Sequence, residues 1–576
     1  MKHAVESRLA RDCVCDVLVI GSGAGGLSTA VTARLAGLDV VVVEKAAVFG
    51  GTTAFSGGVL WIPGNNMGAR DSRESRERMV EYLQSETGGF YDDAAIAAFL
   101  DKGPEMVSFF EQRTAVKFLP TLYPDYHPDA PGGADVGRSI LAAPFDAAEL
   151  GEELSRLRPP LKTITFMGMM FNSSNTELKH FFNATRSLRS LFYVARRLGA
   201  HFVDVVRHGR GVHVTSGNAL VARLAKSAFD LGIAVHTNTA ARELLWDGAR
   251  VSGAVVAGAN GRVRIVARRG VVLACGGFPH DKQRTGAAYP HLRAGGEHLS
   301  PVPADNTGDG IRLAESVGAR LEMRFPAAAA WIPVSAAPMS NGEVLAFPHL
   351  LDRYKPGFIL VDSRGCRFTN ESNSYHDVGA AMIAHCAGGP ETSAWLLCDQ
   401  TAINKYGLGY VKPAPLPKGR FLRNGYLKKG NSIRELASVI GVGGVTLERT
   451  IRDYNLGAVK GRDAAFGRGS TSFNRYLGDA DHKPNPNIAP LQDAPFYAVR
   501  TVMGELGTFD GLQTTVAGQV LNAEGLPVKG LFAVGNDRAS IMGGNYPAAG
   551  ITLGPIMTFG YITGNYLAAG EEAASP

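Results

Sequence analysis

Nowhere do the 576 residues hold an unbroken apolar run near the roughly 18 residues that a membrane-spanning helix needs, so no transmembrane anchor is expected. Cysteine is scarce. The six present, Cys13, Cys15, Cys275, Cys366, Cys386 and Cys398, form no CxxC pair and no Cys/His zinc spacing, and they are too few to staple so long a chain. Reduced thiols, a cytoplasmic setting and no metal site are the expectation. The excess of positive charge is small for this length: the net charge is +6 with 19% charged residues, which argues for no nucleic-acid partner. The first residues, Met1 to Asp12, lack an apolar core of about seven residues and read as a short frayed extension, not a secretory signal. No internal repeat is found.

What the chain has in quantity is apolar mass and glycine. Apolar types make up 45%, enough for a large core. Length alone suggests about four domains, although large cofactor-binding enzymes often divide such a chain into two. Glycine supplies 70 residues, about 12% against an average near 7%. No periodic block accounts for them, so they belong at turns and at backbone that faces a ligand.

The first organised stretch reads strand (Asp16 to Ile20), turn (Gly21 to Gly26), helix (Leu27 to Leu35) and strand (Val40 to Val43) ending at Glu44. Gly21, Gly23 and Gly26 fit GxGxxG, in which one glycine permits the tight turn, one admits a pyrophosphate, and one lets helix and strand pack closely. The helix N-terminus then faces the phosphates. Glu44 stands where a carboxylate can accept hydrogen bonds from an adenosine ribose. These features predict a dinucleotide site.

Lys45 leads into a second glycine-rich loop, Phe49 to Gly58, and this loop resembles the one that runs along the pyrophosphate and under the isoalloxazine ring in flavoproteins of the fumarate reductase and succinate dehydrogenase superfamily. The resemblance implies FAD. Some members attach the flavin covalently through a histidine in this loop, but here no histidine occurs between His3 and His127, so noncovalent FAD is expected.

Further along, Asn218 to Leu231 reads as a helix and Ile233 to Val235 as a strand. A hairpin series follows at Leu244 to Trp246, Val251 to Val256 and Val263 to Val266, turned at Asp247-Gly248 and Asn260-Gly261. Gly270 to Phe278 reads as a buried strand resembling the one that closes the superfamily's FAD domain, and Leu531 to Asp537 as a strand whose Gly-Asn-Asp end matches a flavin-contacting segment. Gly554 and Pro555 open a last helix; its positive end would point toward the flavin N1 and C2 carbonyl. The expected fold class is α/β: a Rossmann-like FAD-binding domain, discontinuous in sequence (residues 1–285 and 491–576), around an inserted α+β substrate domain (residues 286–490). The proline cluster from Lys483 to Pro490 marks the return.

Residues 60–216 form an excursion. Within it Leu161 to His208 interleaves aromatic and Met residues, such as Phe166, Met167, Phe171, Phe182, Phe192 and Tyr193, with Lys162, Lys179, Arg186, Arg189, Arg196, Arg197 and Arg207. Two readings stand: an amphipathic face lying on an anionic membrane surface, and core helices with solvated arginines. The second is favoured.

The chemistry rests on tyrosines. Tyr126 sits in a turn-rich segment (Leu122 to Pro128), Tyr375 ends the segment Phe368 to Tyr375, and Tyr546 follows Asn545 in Asn545-Tyr-Pro-Ala-Ala-Gly550. These three segments, in this order and together with Pro131 to Gly133 and Gly137-Arg138, resemble the 3-ketosteroid Δ1-dehydrogenases along the whole chain. The resemblance makes Tyr375 the base that removes a proton from steroid C2 and Tyr126 the partner that helps ionise it. Tyr546 and the Gly550 N–H become the pair that holds the C3 oxygen as enolate charge develops; hydride passes from C1 to flavin N5. The residue types make sense independently, because a tyrosine with a pKa near 10 serves as a base only where neighbours support its phenolate.

The resemblance also places FAD contacts along the first loop (Gly21, Ser22, Gly23, Ala24, Gly25, Gly26), at Glu44 and Lys45, and along the second loop (Gly50, Gly51, Thr52, Thr53, Ser56, Gly57, Gly58). Ala240, Gly276, Asn306 and Asp309 join them, as do Gly535, Asn536, Asp537, Ile551 and Leu553. The implied partners are a 3-ketosteroid and an electron acceptor such as a quinone or dye.

Tyr123 is the reserve for Tyr126. Asp125, Glu371 and His376 could supply acid or base but receive no role from the match, and His208 and His213 read as surface histidines. Ala548 and Ala549 depart from the family pattern of Gly or Pro, which leaves substrate preference open. The alternatives are a 3-keto-5α-steroid Δ4-dehydrogenase, a fumarate-reductase-like enzyme, for which Arg353, Arg364 and Arg367 do not form the needed pattern, and a noncatalytic electron-relay subunit.

Overall fold

Four consecutive valines, Val40–Val43, are buried on both faces, as the inner strand of a parallel sheet must be. They pair in parallel with Val17 to Ile20 of the strand Cys13–Ile20, which in turn pairs in parallel with Gly261–Leu273. The computed structural model describes residues 11–67, 74–171, 180–181, 183–184, 187–259, 261–386 and 392–570. Most of the N-terminal extension, Asn260 of the second hairpin turn, and Lys179, Phe182 and Arg186 lie outside the described residues.

These strands belong to an eight-stranded sheet whose main path runs Gln519–Leu521, Pro527–Ala533, Gly261–Leu273, Cys13–Ile20, Val40–Val43, Ala234–His236. The hairpin strands Ala240–Trp246 and Val251–Gly258 extend it beside Gly261–Leu273. The two strands expected at Val263 to Val266 and from Gly270 onward are one. Gly261–Leu273 runs straight through Arg268 and Arg269, antiparallel to the hairpin at its start and parallel to Cys13–Ile20 from Ile265 on, with a register shift opposite Cys15 to Val17. The exposed arginines interrupt the apolar pattern without interrupting the hydrogen bonding.

Helix Ala24–Leu35 packs on this sheet and against the last helix, Leu553–Ala569. Small residues set that distance: a Cβ on Gly560 would lie 2.1 Å from Ser28 Oγ, and one on Gly564 2.7 Å from Thr32 Cβ. The fold is α/β with a Rossmann-like core.

A second, antiparallel sheet has the order Val344–Pro348, Ala329–Pro338, Phe496–Thr508, Ser393–Cys398, Phe358–Val361, with Lys428–Gly430 also on Phe496–Thr508. Its central strand begins after residue 491, the expected point of return to the FAD-binding part. We propose that the crossing back lies after Thr508, because residues 496–508 hydrogen-bond to the inserted strands on both sides. A small sheet of Val59–Trp61, Ser139–Ala142 and Phe118–Pro120 belongs to the early excursion.

The core-helix reading of Leu161 to His208 does not hold for its longest helix, Leu188–His208. Only Ser190 and His201 of that helix are buried, while Leu188, Phe192 and Val206 are 85%, 73% and 86% exposed. The apolar residues recur at helical spacing, but their stripe faces outward. Among the described residues no helix is long and apolar enough to cross a membrane.

Candidate active site

The first glycine loop shapes one wall of a cleft. Gly21 has φ +114°, and a Cβ on it would sit 2.1 Å from the Ala274 carbonyl oxygen, so only glycine can make this turn. Gly26 packs against Gly21, its Cβ position 2.0 Å from the Gly21 oxygen, whereas beside Gly23 the nearest atom is Thr53 Oγ1 at 3.7 Å. The middle glycine therefore leaves open space in front of the helix N-terminus. Gly23 is the N-cap of Ala24–Leu35 and offers no side-chain cap, so the positive end of the helix opens into the cleft, as binding of an anionic group requires. The Ala24 N–H donates to Thr53 Oγ1 at 3.1 Å, which joins the two glycine loops.

Glu44 is held in the same wall. Its Oε2 accepts from the Ser22 N–H at 3.1 Å and the Ser22 hydroxyl at 2.6 Å, and its Oε1 from the Ala46 N–H at 2.9 Å. Lys45 is ion-paired with Asp309 and donates to Thr307 Oγ1 at 2.8 Å. Burial works to raise the Asp309 pKa, but Lys45 and Arg312 outweigh it and hold the carboxyl below its ordinary value. Asn306 Nδ2 donates to Thr52 Oγ1 at 2.8 Å and to the Gly276 oxygen at 3.2 Å, tying the second loop to the end of Gly261–Leu273.

Gly21 to Gly25, Glu44, Lys45, Gly51 to Thr53, Ser56, Ala240, Gly276, Asn306, Asp309, Gly535, Asn536 and Leu553 all line this cleft. Gly26, Gly50, Gly57, Gly58, Asp537 and Ile551 are not among its lining residues. Gly50 and Gly58 serve packing: Cβ atoms there would run into Val221 and the Ser216 backbone. Asp537 is fully buried and accepts from the N–H groups of Cys275 at 2.6 Å and Gly277 at 2.9 Å. Burial pushes its pKa up to about 6 in spite of those donors. Sequence reasoning missed Arg158, Thr239, Cys275, Asp305, Leu506, Thr552 and Ile556 in the lining. Cys275 and Thr552 adjoin motif residues and could have been found that way. Arg158 carries no local signal; it reaches the cleft by pairing with Asp305 at 3.0 Å across 147 positions.

The three expected tyrosines meet in one buried cluster. The Tyr126 N–H donates to the Pro547 oxygen at 2.7 Å, and its ring stacks on Tyr546 with centroids 5.6 Å apart. Tyr375, the first residue of helix Tyr375–His385, presents its ring edge to both, at 5.0 Å from Tyr546 and 6.0 Å from Tyr126. The Tyr375 hydroxyl interacts with those of Tyr126 and Tyr546, and the Tyr546 hydroxyl also with Thr552. Burial raises the pKa of all three phenols. Tyr123 lies apart, packed on Tyr476 at 4.6 Å.

Gly550, four residues after Tyr546, has φ +95° and packs against the backbone of Val59 to Trp61. Its carbonyl accepts from the Trp61 N–H at 3.0 Å, while among the described residues its own N–H has no acceptor. Two residues on, Thr552 and Leu553 line the cleft, so the tyrosine cluster and the cleft share one stretch of backbone.

The other titratable groups nearby are engaged elsewhere. His376 Nδ1 accepts from the Trp331 N–H at 3.2 Å, and burial lowers its pKa to about 4. Glu371 is ion-paired with Arg367 and Arg468 in the interior. Asp125 accepts from Trp61 Nε1 at 2.9 Å and pairs with buried Arg138 at 2.6 Å. His213 stands exposed in a two-residue strand, and the described residues contain no cluster of three or more metal-ligating side chains.

Residues 16–553 match the FAD binding domain family. The chain belongs to that family. Its cofactor is FAD, which the helix N-terminus at the cleft, the open face of Gly23 and the Glu44 carboxylate fit, and it is an FAD-dependent oxidoreductase. A 4-oxocyclohex-2-ene-1-carboxylate 5-dehydrogenase of Sinomonas cyclohexanicum is 40% identical over 99% of this chain and 96% of its own length. A 3-oxosteroid 1-dehydrogenase of Mycolicibacterium smegmatis is 36% identical over 97% of this chain and 98% of its own. The crystal structure of a 3-ketosteroid Δ1-dehydrogenase from Sterolibacterium denitrificans, in complex with 1,4-androstadiene-3,17-dione, superposes with a TM-score of 0.88 at 35% identity, covering 96% of this chain and 99% of that one. The chain thus falls in the branch of FAD-dependent dehydrogenases that resembles the steroid enzymes.

Proposed function

We propose that the protein catalyses 1,2-desaturation of 3-ketosteroids. The observation that carries the reading is the meeting of three buried tyrosines, with the Gly550 N–H, which has no acceptor among the described residues, four residues after Tyr546 on the backbone that leads into the FAD cleft. FAD, when bound, supplies the acceptor for a hydride. Tyr375 takes the proton from C2. Tyr126, stacked on Tyr546 and within reach of Tyr375, stabilises the Tyr375 phenolate. The Tyr546 hydroxyl and the Gly550 N–H hold the C3 oxygen, where charge grows as C2 loses its proton. The reduced enzyme is reoxidised by a quinone or an artificial dye.

A second reading keeps the same chemistry beside a ring ketone and changes the substrate to a monocyclic 4-oxo carboxylate. The 40% identity with the Sinomonas enzyme favours it. Incubating the flavin-loaded protein with a panel of 3-ketosteroids and 4-oxocyclohexane carboxylates, and reading the products by mass spectrometry, separates the two. Loss of two mass units with a cross-conjugated dienone band from the steroids supports the first reading. Turnover of the carboxylates alone replaces it with the second.

We also propose that helix Leu188–His208 touches an anionic bilayer surface. Exposed Leu188, Phe192, Phe202 and Val206 form its outer stripe, Arg189, Arg196 and Arg207 flank them, and Asp204 is the helix's one acid; such a helix lies in the interface with its apolar face down. Cosedimentation with phosphatidylglycerol vesicles, lost in Phe192→Glu, supports this. Equal recovery with and without vesicles, or a dimer that buries the stripe, contradicts it.

A further inference from the structure

The segment that carries Tyr126 is joined to each of the other two tyrosines by a contact one or two residues away. Toward Tyr546 the joint is the Tyr126 N–H on the Pro547 oxygen, 2.7 Å. Toward Tyr375 it is His127. Its Nε2 lies 3.0 Å from Oδ2 of Asp377, in the first turn of the helix that Tyr375 begins, and its Nδ1 lies 2.8 Å from Oε2 of Glu86 at the end of helix Arg76–Thr87. A neutral imidazole has one N–H and can donate to only one carboxylate; the imidazolium can donate to both. Burial opposes a charge on this ring, but the hydrogen bonds and fields of Asp377 and Glu86 outweigh it and lift its pKa to about 10. Besides these two carboxylates, the titratable groups facing it are His376, held neutral, and Tyr82, whose hydroxyl donates to the Pro547 oxygen at 2.6 Å. Asp377 is fixed in turn, its N–H donating to Ser374 Oγ at 3.1 Å as part of the helix N-cap.

We propose that His127, as an imidazolium bridging Asp377 and Glu86, is a positioning residue that holds the Tyr126 hydroxyl against Tyr375 and thereby sets how readily Tyr375 ionises. His127 is not a catalytic residue, since its ring nitrogens both point to carboxylates away from the phenols. The proposal rests on the assignment of Tyr375 as the base. It predicts that breaking the bridge acts only through Tyr126, which a structural salt bridge elsewhere in the fold would not do.

The test is a double-mutant cycle on the flavin-loaded enzyme, with steroid-driven flavin reduction followed by stopped flow across the alkaline range. His127→Gln should move the rise of rate with pH upward by about one unit, a tenfold loss at neutral pH, with KM within about twofold. His127→Arg, which keeps a cation between the carboxylates, should recover most of that loss. In the Tyr126→Phe background His127→Gln should have no further effect, because the hydroxyl it positions is gone. If His127→Gln does not retain flavin, Asp377→Asn breaks the bridge from the other end and is read in the same way. An unshifted pH profile, or losses that multiply in the double variant, overturns the proposal. Persistence of flavin reduction in Tyr375→Phe overturns instead the assignment of the base, so the two failures are distinct.

Discussion

Tyr126 and Tyr546 lie nearly parallel, their ring planes 14° apart and their centroids separated by 5.6 Å, although 420 positions divide them in sequence. Their stacking leaves both hydroxyls free to meet that of Tyr375, whose ring stands edge-on to each. Three phenols then converge from three separate segments.

The pH dependence follows from burial. Each of the three phenols has its pKa raised, with desolvation the largest cause. An unperturbed tyrosine already lies about three units above neutrality, roughly 4 kcal/mol of unfavourable ionisation, and burial adds to that. The sign is therefore fixed: the phenolate fraction grows with pH, and the rate of substrate-driven flavin reduction should climb by about tenfold per unit through the mildly alkaline range. A rate that falls over that range would point to a base of lower pKa.

Tyr546→Phe should lower turnover by about 10²-fold with little change in KM, because its hydrogen bond gains most when charge has reached the ketone oxygen. Steady-state kinetics on the variant decide this. A change confined to KM would make Tyr546 a ground-state binding group.

Gly550 should accept no side chain, and for a structural reason as much as a chemical one. A Cβ there would lie 2.6 Å from both Trp61 N and the Val59 oxygen, so Gly550→Val must displace the strand Val59–Trp61 as well as the N–H. Thermal unfolding of the holoenzyme should show a lower Tm together with lost turnover. A fully active, equally stable variant would remove Gly550 from the site.

Asp125 stabilises the loop that carries Tyr126. Replacing it with Ala leaves Arg138, 2% exposed, without one of its carboxylates, and breaking a buried pair costs about 3 kcal/mol. Denaturant titration should register the loss. A stability within about 0.5 kcal/mol of wild type would show that Glu74, the other carboxylate on Arg138, suffices.

Flavin should leave the protein on acid precipitation, since no histidine lies in the second glycine loop. Glu44→Arg should lower flavin occupancy, with the added effect that Ser22 loses the acceptor for its N–H and hydroxyl. Flavin absorbance in the supernatant after precipitation decides the first, where flavin left on the pellet would contradict it, and flavin absorbance after gel filtration of Glu44→Arg decides the second, where unchanged occupancy would contradict it.

Local patterns in the sequence anticipated the first strand, turn, helix and strand closely, because each of those elements is decided by its own residues: the glycines by close approach, the valines by burial on both faces. The tyrosines were visible only through their motifs. Tyr126 taken alone is indistinguishable from a half-buried packing residue, and what sets it apart is Pro547, 421 positions away. The same limit hid Arg158 in the cleft wall and the His127 bridge to Asp377. Helix Leu188–His208 reads as a core helix from its sequence because helical apolar spacing looks the same whether its stripe meets protein or faces outward. Gly261–Leu273 reads in the sequence as two strands because its apolar pattern lapses between Val266 and Gly270; the strand continues through the gap, with Arg268 and Arg269 opposite the single residue Asp16.

The central claim is that Tyr375 takes the substrate's proton, and single-turnover flavin reduction in Tyr375→Phe tests it most directly. The variant should bind FAD, show a substrate-induced shift of the flavin spectrum, and fail to bleach at any pH when a 3-ketosteroid is added. Bleaching at near wild-type rate would contradict the account and show that another group removes the proton.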